Sequence, residues 1–326
     1  MMTTDFYAIP NANVMAAMQK AAFQVLPKYD RIIVSTSGGS DSDIVMDMVE
    51  RCKAEHNEIT YVFFDTGLEY QATRDHLDYL EKRYGVTIHR EKPPKPIPSI
   101  VREHGVPFMS KLASERIGRL QDYDFDFHEP KEGTPLYLVK WWKNDYDKQC
   151  FTVDHNPGLK EFLETNPPDF RISSKCCTYA KKILAKKVYE KYNAQLSITG
   201  IRKSEGGIRA ESYKNCYTQS DDKIDTFRPV FWLSDQDKRD YEEYFDIVHS
   251  RCYTEYGMRR TGCAGCPFDR EITDELAIIK KYEPKLYKAC IGVFGKSYEY
   301  TRQYREFREE MKRKEKEDPD QYHMEV

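Results

Sequence analysis

Two pairs of cysteines carry the sharpest chemical signal in this chain of 326 residues. Cys176 and Cys177 are adjacent in S-K-C-C-T-Y-A-K-K, and Cys263 and Cys266 stand in T-G-C-A-G-C-P-F. A C-x-x-C in a tight turn points two sulfurs at one ion, and a second pair completes four thiolates. Four thiolates suit zinc or an iron–sulfur cluster and exclude metals that take oxygen ligands. Singly, adjacent cysteines read as a buried apolar pair and a C-x-x-C as a redox pair. Together they favour a metal site, and spacing alone does not separate zinc from iron. Cys252 precedes Cys263 by eleven residues and is an alternate ligand for one member of the tandem pair. Cys52, Cys150, Cys216 and Cys290 read as structural.

A second signal lies in R-I-I-V-S-T-S-G-G-S-D-S-D at 31–43. A strand-forming run meets a cluster of small polar residues, and helical spacing follows. Small residues let backbone N–H groups approach phosphate oxygens, and a helix N-terminus favours anions. Ser35, Ser37, Gly38, Gly39, Ser40 and Ser42 supply that chemistry, and Asp41 would cap the helix or orient a metal. The lysine of the G-x-x-x-x-G-K-[ST] loop is absent. Composition alone gives a Gly-Ser turn capping a helix; the strand-loop-helix context favours phosphate. In F-F-D-T-G-L-E-Y-Q-A-T-R at 63–74, Asp65, Thr66 and Gly67 stand at the carboxyl end of a second strand, the edge where open α/β sheets bind ligands.

These residues need a scaffold. The pattern predicts helices at 11–26, 42–56 and 70–84, the last closed by Gly85. It predicts strands at 31–35, 59–67, 86–89 and 195–200. Alternating strands and helices imply right-handed crossovers and a parallel sheet. E-K-P-P-K-P-I-P at 91–98 reads as neither helix nor central strand. A helix is expected at 178–192, another at 236–250, a cysteine-bearing loop at 252–268, and helices to about residue 315. The expected organisation is a helical segment at 1–27, a nucleotide-binding domain at 28–235 with an insertion at 99–172, and a cysteine-rich helical region at 236–326.

Composition is that of a globular protein, 40% hydrophobic and 32% charged, with a formal net charge of -3. That balance argues against a wholly basic surface and leaves room for a local basic groove. No apolar run reaches membrane-spanning length. The N-terminal M-M-T-T-D-F-Y-A-I-P lacks the regions of a signal peptide, so a cytoplasmic protein is expected. Nine cysteines in a reducing compartment do not read as a disulfide framework.

S-G-G-S-D-S at 37–42 resembles the S-G-G-x-D-S signature of the PP-loop ATP pyrophosphatases, the adenine nucleotide alpha-hydrolase superfamily. Many members carry lysine where Ser40 stands. The segment at Asp65-Thr66-Gly67 resembles the D-T-G-x-x-x-x-E-T element of the phosphoadenosine phosphosulfate (PAPS) reductase family. S-K-C-C-T-Y-A-K-K resembles its Cys-Cys-x-x-x-Lys element, with Lys181 as the matching base. I-T-G-I-R-K-S-E-G-G-I-R-A at 198–210 resembles its G-[IL]-R-x-x-E-S-x-x-R element, beginning at Gly200. The resemblance implies that Arg202 and Arg209 face phosphate or sulfate oxygens, as guanidinium groups do bidentately, with Glu205 orienting one of them. It covers roughly residues 28–268.

The resemblance also decides the metal. A tandem Cys-Cys followed by a distant C-x-x-C is similar to the 4Fe–4S pattern of adenylylsulfate-type reductases, with zinc as runner-up. G-M-R-R-T-G-C-A-G-C-P-F is similar to PAPS-reductase-like proteins of DNA sulfur modification and phage genomes. The C-terminal Glu-Cys-Gly-Leu-His nucleophile of assimilatory sulfonucleotide reductases is absent, and the nearest cysteine is Cys290.

The expectation is therefore a Rossmann-like parallel sheet of PP-loop type, with a helical insertion and a cysteine-rich helical C-terminal part. It would bind ATP or a sulfonucleotide (PAPS or APS). Asp41, Lys181 and Arg202 would be catalytic, and Mg²⁺ would screen the phosphates. The first expected activity is sulfur transfer through adenylylation and pyrophosphate release. Reduction of a sulfonucleotide by an external thiol comes second, and a nucleotide-binding regulatory or defence protein with a structural metal third. Expected partners are a sulfur donor, either a cysteine desulfurase or a thiol protein, and a nucleic-acid acceptor. Tyr253, Tyr256, Trp141 and Trp142 would stack on the acceptor, or else fill the core.

Overall fold

The computed structural model describes residues 5–206, 213–221 and 223–317. In chain order the elements are α1 (Ala12–Gln19), β1 (Arg31–Ser35), α2 (Ser40–Cys52), β2 (Glu58–Phe64), α3 (Gln71–Tyr84) and β3 (Ile88–Glu91). Then come α4 (Ile97–His104), α5 (Lys111–Gln121), α6 (Leu136–Trp142), α7 (Leu159–Thr165), α8 (Lys175–Cys177) and α9 (Leu184–Lys191). The chain closes with β4 (Leu196–Thr199), β5 (Tyr217–Thr218), β6 (Asp225–Phe227), α10 (Asp235–Tyr244), α11 (Arg251–Thr254), α12 (Ile272–Tyr282) and α13 (Pro284–Glu317). Contacts divide them into two units, one holding Met1–Pro94 with Ala180–Ala264, the other Lys95–Tyr179 with Gly265–Val326.

The first unit is built on a sheet of order β3-β2-β1-β4-β6-β5. All neighbours run parallel except β5, which is antiparallel to β6. The apolar run of β1 is buried on both faces, as parallel strands covered by crossover helices must be. Ile32 and Val34 join a core with Val45 and Met48 of α2 and with Val14 and Met18 of α1. Ile33 faces the opposite side with Val62, Leu184 and Val188. This is the α/β class with a mostly parallel sheet expected from the sequence.

Three elements depart from expectation. β5 and β6 extend the sheet beyond β4 and were not foreseen. The proline-rich stretch at 91–98 ends inside α4, where Pro98 occupies the first turn. Proline is tolerated there because the N–H it lacks has no intrahelical partner anyway.

In the second unit, the segment after residue 95 shares one core with α13. Phe108, Trp141, Trp142, Phe162, Tyr300 and Tyr304 pack together. The indole N–H of Trp142 donates to the carbonyl of His128 at 2.8 Å. Trp141 and Trp142 are each 1% exposed, so both belong to the core and neither is a stacking platform. Among the described residues no helix is long and apolar enough to cross a membrane.

Candidate functional site

The sheet order places a topological switch beside β1. From β1 the chain builds outward to β2 and β3 on one side, and returns as β4 on the other. Ser35 pairs in register with Val62 of β2 and Thr199 of β4. The loops leaving β1 and β4 therefore open from neighbouring positions at the carboxyl edge, where α/β sheets form their ligand crevice.

The first loop is held by its own hydroxyls. Ser42 Oγ accepts from the N–H groups of Ser37 at 3.2 Å and Gly39 at 3.1 Å, and donates to the carbonyl of Gly39 at 2.7 Å. Ser37 Oγ donates to Ser42 Oγ at 3.1 Å. Gly38 has a φ of +66°, and a Cβ there would stand 2.7 Å from the Thr73 methyl, so the turn requires glycine. Gly200 permits close approach from the other side: its Cβ would lie 3.0 Å from the backbone of Asp41 and Ser42. Ser40 N–H donates to the Tyr253 hydroxyl at 3.2 Å, and that hydroxyl bonds Thr261 at 3.1 Å. Tyr253 thus braces the loop, and Tyr256 is buried at 8% exposure, so stacking on an acceptor is not the use made of either.

Asp41 neither caps the helix nor stands alone. Arg202 Nε donates to Asp41 Oδ1 at 2.9 Å, and Lys238 Nζ lies 2.8 Å from the same oxygen. Arg202 Nη1 donates to Ser204 and to Asp235, each at 2.7 Å, so Asp235 orients this guanidinium. Burial raises the Asp41 pKa, but Lys238 first and Arg202 after it outweigh burial and hold it below its ordinary value. Lys238 also donates to Ser40 Oγ at 2.5 Å. It sits on α10, and a Lys in D-Q-D-K-R-D gave no local sign of this role. Arg209 lies outside the described residues. Glu205 is exposed and stands near Asp41, whose pKa it helps to lower.

At the second loop, Arg74 holds Asp65 through two bonds, of 3.0 and 3.1 Å, and Gly67 N–H donates to it at 3.0 Å. Burial acts against the carboxylate, yet these partners keep the Asp65 pKa below its ordinary value. Glu69, which sequence reasoning passed over, accepts from the hydroxyl and N–H of Thr66 at 2.6 and 3.1 Å. Burial raises it to about 7 against the opposing effects of Thr66 and Lys181. Lys181 is exposed and makes itself felt through that charge. The spacing T-G-L-E, an acid three residues past a threonine, was the available signal.

The cysteines divide between the units. In the first, Thr66 Oγ1 lies 3.6 Å from Cys263 Sγ. Ala264 N–H bonds the carbonyl of Leu68 at 2.9 Å, which ties the turn to the second loop. Cys252 is buried on α11, its sulfur 3.8 Å from Thr73 Oγ1. In the second unit, Cys176 is buried and Cys177 half-buried on α8, which packs against α4. Cys266 follows Gly265, whose N–H bonds Glu275 at 3.1 Å and whose carbonyl accepts from Tyr298. A Cβ on Gly265 would stand 2.8 Å from Cys290 Sγ. Cys290 is 0% exposed, and burial, reinforced by Glu275, pushes its thiol up to about 12. Among the described residues no group of three or more His, Cys, Asp or Glu side chains is gathered closely enough to hold a metal ion.

A hydroxyl-lined glycine loop at the switch point of a parallel sheet, with two cations beside it, is an arrangement suited to an anion such as a phosphate. Residues 31–116 match the phosphoadenosine phosphosulfate reductase domain, an enzyme family. The match takes in both loops and ends before either cysteine pair. An uncharacterized protein of Methanocaldococcus jannaschii is 25% identical over 260 residues, 79% of this chain and 40% of that protein. The chain thus spans less than half the length of that relative. Two solved structures are similar to it. The phosphoadenylyl-sulfate reductase of Candida auris, in its phosphate complex, is 12% identical, with 76% of this chain and 87% of that one covered at a TM-score of 0.44. The U34-tRNA thiolase of Methanococcus maripaludis, solved with its 4Fe–4S cluster, is 13% identical, with 90% and 78% covered at a TM-score of 0.41.

Proposed function

We propose that this chain is a PAPS-reductase-like PP-loop enzyme that binds ATP at the 35–42 loop and acts in sulfur transfer through adenylylation. One observation carries the reading: the loop stands at the sheet's switch point with Arg202 and Lys238 gathered on Asp41 beside it. Loop N–H groups and the two cations would take the phosphates, with Mg²⁺ screening the remainder. Asp65 and Thr66 would flank the adenosine.

The step so catalysed is a displacement at phosphorus. An acceptor oxygen attacks the α-phosphorus of ATP, the bond to the bridging oxygen breaks, and pyrophosphate leaves with the electron pair. The acceptor's proton passes to a base, for which Glu69 has the proton affinity. A nucleophilic sulfur, delivered by a cysteine desulfurase or thiol protein, then displaces AMP from the activated carbon. A nucleic acid is the proposed acceptor.

Cys176, Cys177, Cys263 and Cys266, with Cys252 as alternate, are the proposed ligands of a 4Fe–4S cluster, with zinc as runner-up, because thiolates take soft metals in preference to those that need oxygen ligands. A cluster bound there would supply a soft site for sulfur. Lys181 and Glu69 would set the charge near the second loop.

The family match favours one other reading, reduction of PAPS or APS to sulfite by an external dithiol, which is oxidised to a disulfide while adenosine 3′,5′-bisphosphate or AMP leaves. The thiol would come from outside, because Cys290 on α13 is 0% exposed. Anaerobic purification, iron analysis and turnover assays separate the readings. About four irons per chain, lost on Cys263→Ser, with pyrophosphate from ATP and Mg²⁺, support adenylylation. Sulfite from PAPS would replace it with the reductase. Zinc with no turnover of either nucleotide would leave a nucleotide-binding regulatory or defence protein.

A further inference from the structure

We infer that Lys238, on α10, is the phosphate-gripping cation of the 35–42 loop, supplied from a distant part of the chain to the loop position held by Ser40. The inference rests on the nucleotide reading of that loop and deepens it by naming a binding residue.

The geometry is specific. Lys238 Nζ is 2.5 Å from Ser40 Oγ, on the first residue of α2, and 2.8 Å from Asp41 Oδ1 on the second. An ammonium has three donors. Ser40 and Asp41 occupy two, and among the described residues the next carboxylate, Glu242, lies at 3.7 Å, beyond hydrogen-bond range. The third N–H is therefore available to an oxygen arriving at the start of α2, where backbone N–H groups also point. The side chain is 15% exposed, so its stem is already ordered and its charge is poorly screened by water. Asp41 prevents Lys238 and Arg202 from repelling one another before an anion arrives. A side chain at position 40 could carry such a charge itself, but Ser40 has only a hydroxyl.

Lys238 would touch only phosphate, so its removal should weaken ATP and spare adenosine. The test measures binding of ATP and of adenosine by calorimetry to the whole chain, as wild type, as Lys238→Met, and as Ser40→Lys with Lys238→Met. Circular dichroism melts establish that each variant is folded. The expected result is ATP binding about 10- to 100-fold weaker in Lys238→Met, the loss typical of one charge-assisted hydrogen bond. Adenosine binding should be unchanged, and ATP binding should recover in the double variant. Unchanged ATP affinity in folded Lys238→Met would overturn the inference while leaving the nucleotide reading intact. So would a folded double variant that fails to recover. Absence of ATP binding by the wild type would remove the nucleotide reading and the inference together.

Discussion

His249 should make the stability of the first unit fall between neutral and alkaline pH. Its Nδ1 lies 2.8 Å from Asp43 on α2, and its Nε2 lies 2.9 Å from Glu242 on α10. The imidazolium therefore clasps α2, which follows the glycine-serine loop, to the helix that carries Lys238. Burial disfavours the charge, but the bonds to Asp43 and Glu242 outweigh burial and raise His249 from 6.5 to about 9. The unfolded chain releases this proton near pH 6.5, while the folded chain holds it to about pH 9. Stability from the clasp is complete below the lower value and is lost as pH climbs through the upper one. At about 1.4 kcal/mol for each tenfold change in proton affinity, the full effect is about 3 kcal/mol. Allowing for the part of the ring that meets water, about 2 kcal/mol is expected. The assay is urea denaturation of the wild type and of His249→Asn across that range. The gap between them should be about 2 kcal/mol wider at the acid end than at the alkaline end. A gap that stays constant with pH would refute the reasoning, because titrations elsewhere move both proteins alike.

Glu69→Gln should show the opposite trend. An acid raised from 4.5 to about 7 by burial destabilises the fold increasingly as pH rises between those values. The variant should gain on wild type by up to about 3 kcal/mol across that window, read from thermal melts at either end; parallel melts would contradict it. Tyr241→Phe removes the 2.8 Å bond that a fully buried hydroxyl donates to buried Asp47. It should lower stability by about 2 kcal/mol, measured by urea midpoint, and a loss below half of that would show that Arg51 and Tyr84 satisfy Asp47 without it. Gly38→Ala forces a side chain into a left-handed turn against Thr73 and should destabilise by about 2 kcal/mol. It should also weaken ATP binding, and calorimetry finding wild-type affinity would show that the loop reshapes freely.

What was legible in the sequence was local. The run R-I-I-V-S into S-G-G-S-D-S reads as a strand, a turn and a helix; β1 is where that pattern put it, and α2 starts and ends a few residues earlier than the expected 42–56. Gly85 ends α3 in a left-handed conformation, as a glycine after a helical run should. The strands β5 and β6 were invisible because two or three residues carry no periodicity; their identity comes from pairing with β4. Lys238 was invisible for a related reason. In D-Q-D-K-R-D it reads as one charge on a solvated helical face, and only the packing of α10 on α2 turns it inward. Trp141 and Trp142 were ambiguous as types, and burial resolved them. Asp41 was noticed, but its partners could not be, since Arg202 and Lys238 are remote along the chain.

That remoteness has a consequence for synthesis. Ser40 and Lys238 are 198 residues apart. A nascent chain displays the complete glycine-serine signature long before the ribosome has made the ammonium that lies against it. The stretch that matches a known domain, residues 31–116, likewise contains the loop without the lysine. A gene fragment stopping before Ser234 would keep the signature and Arg202 but lack the ammonium. The ammonium beside the glycine-serine loop is thus supplied only once synthesis has passed Lys238.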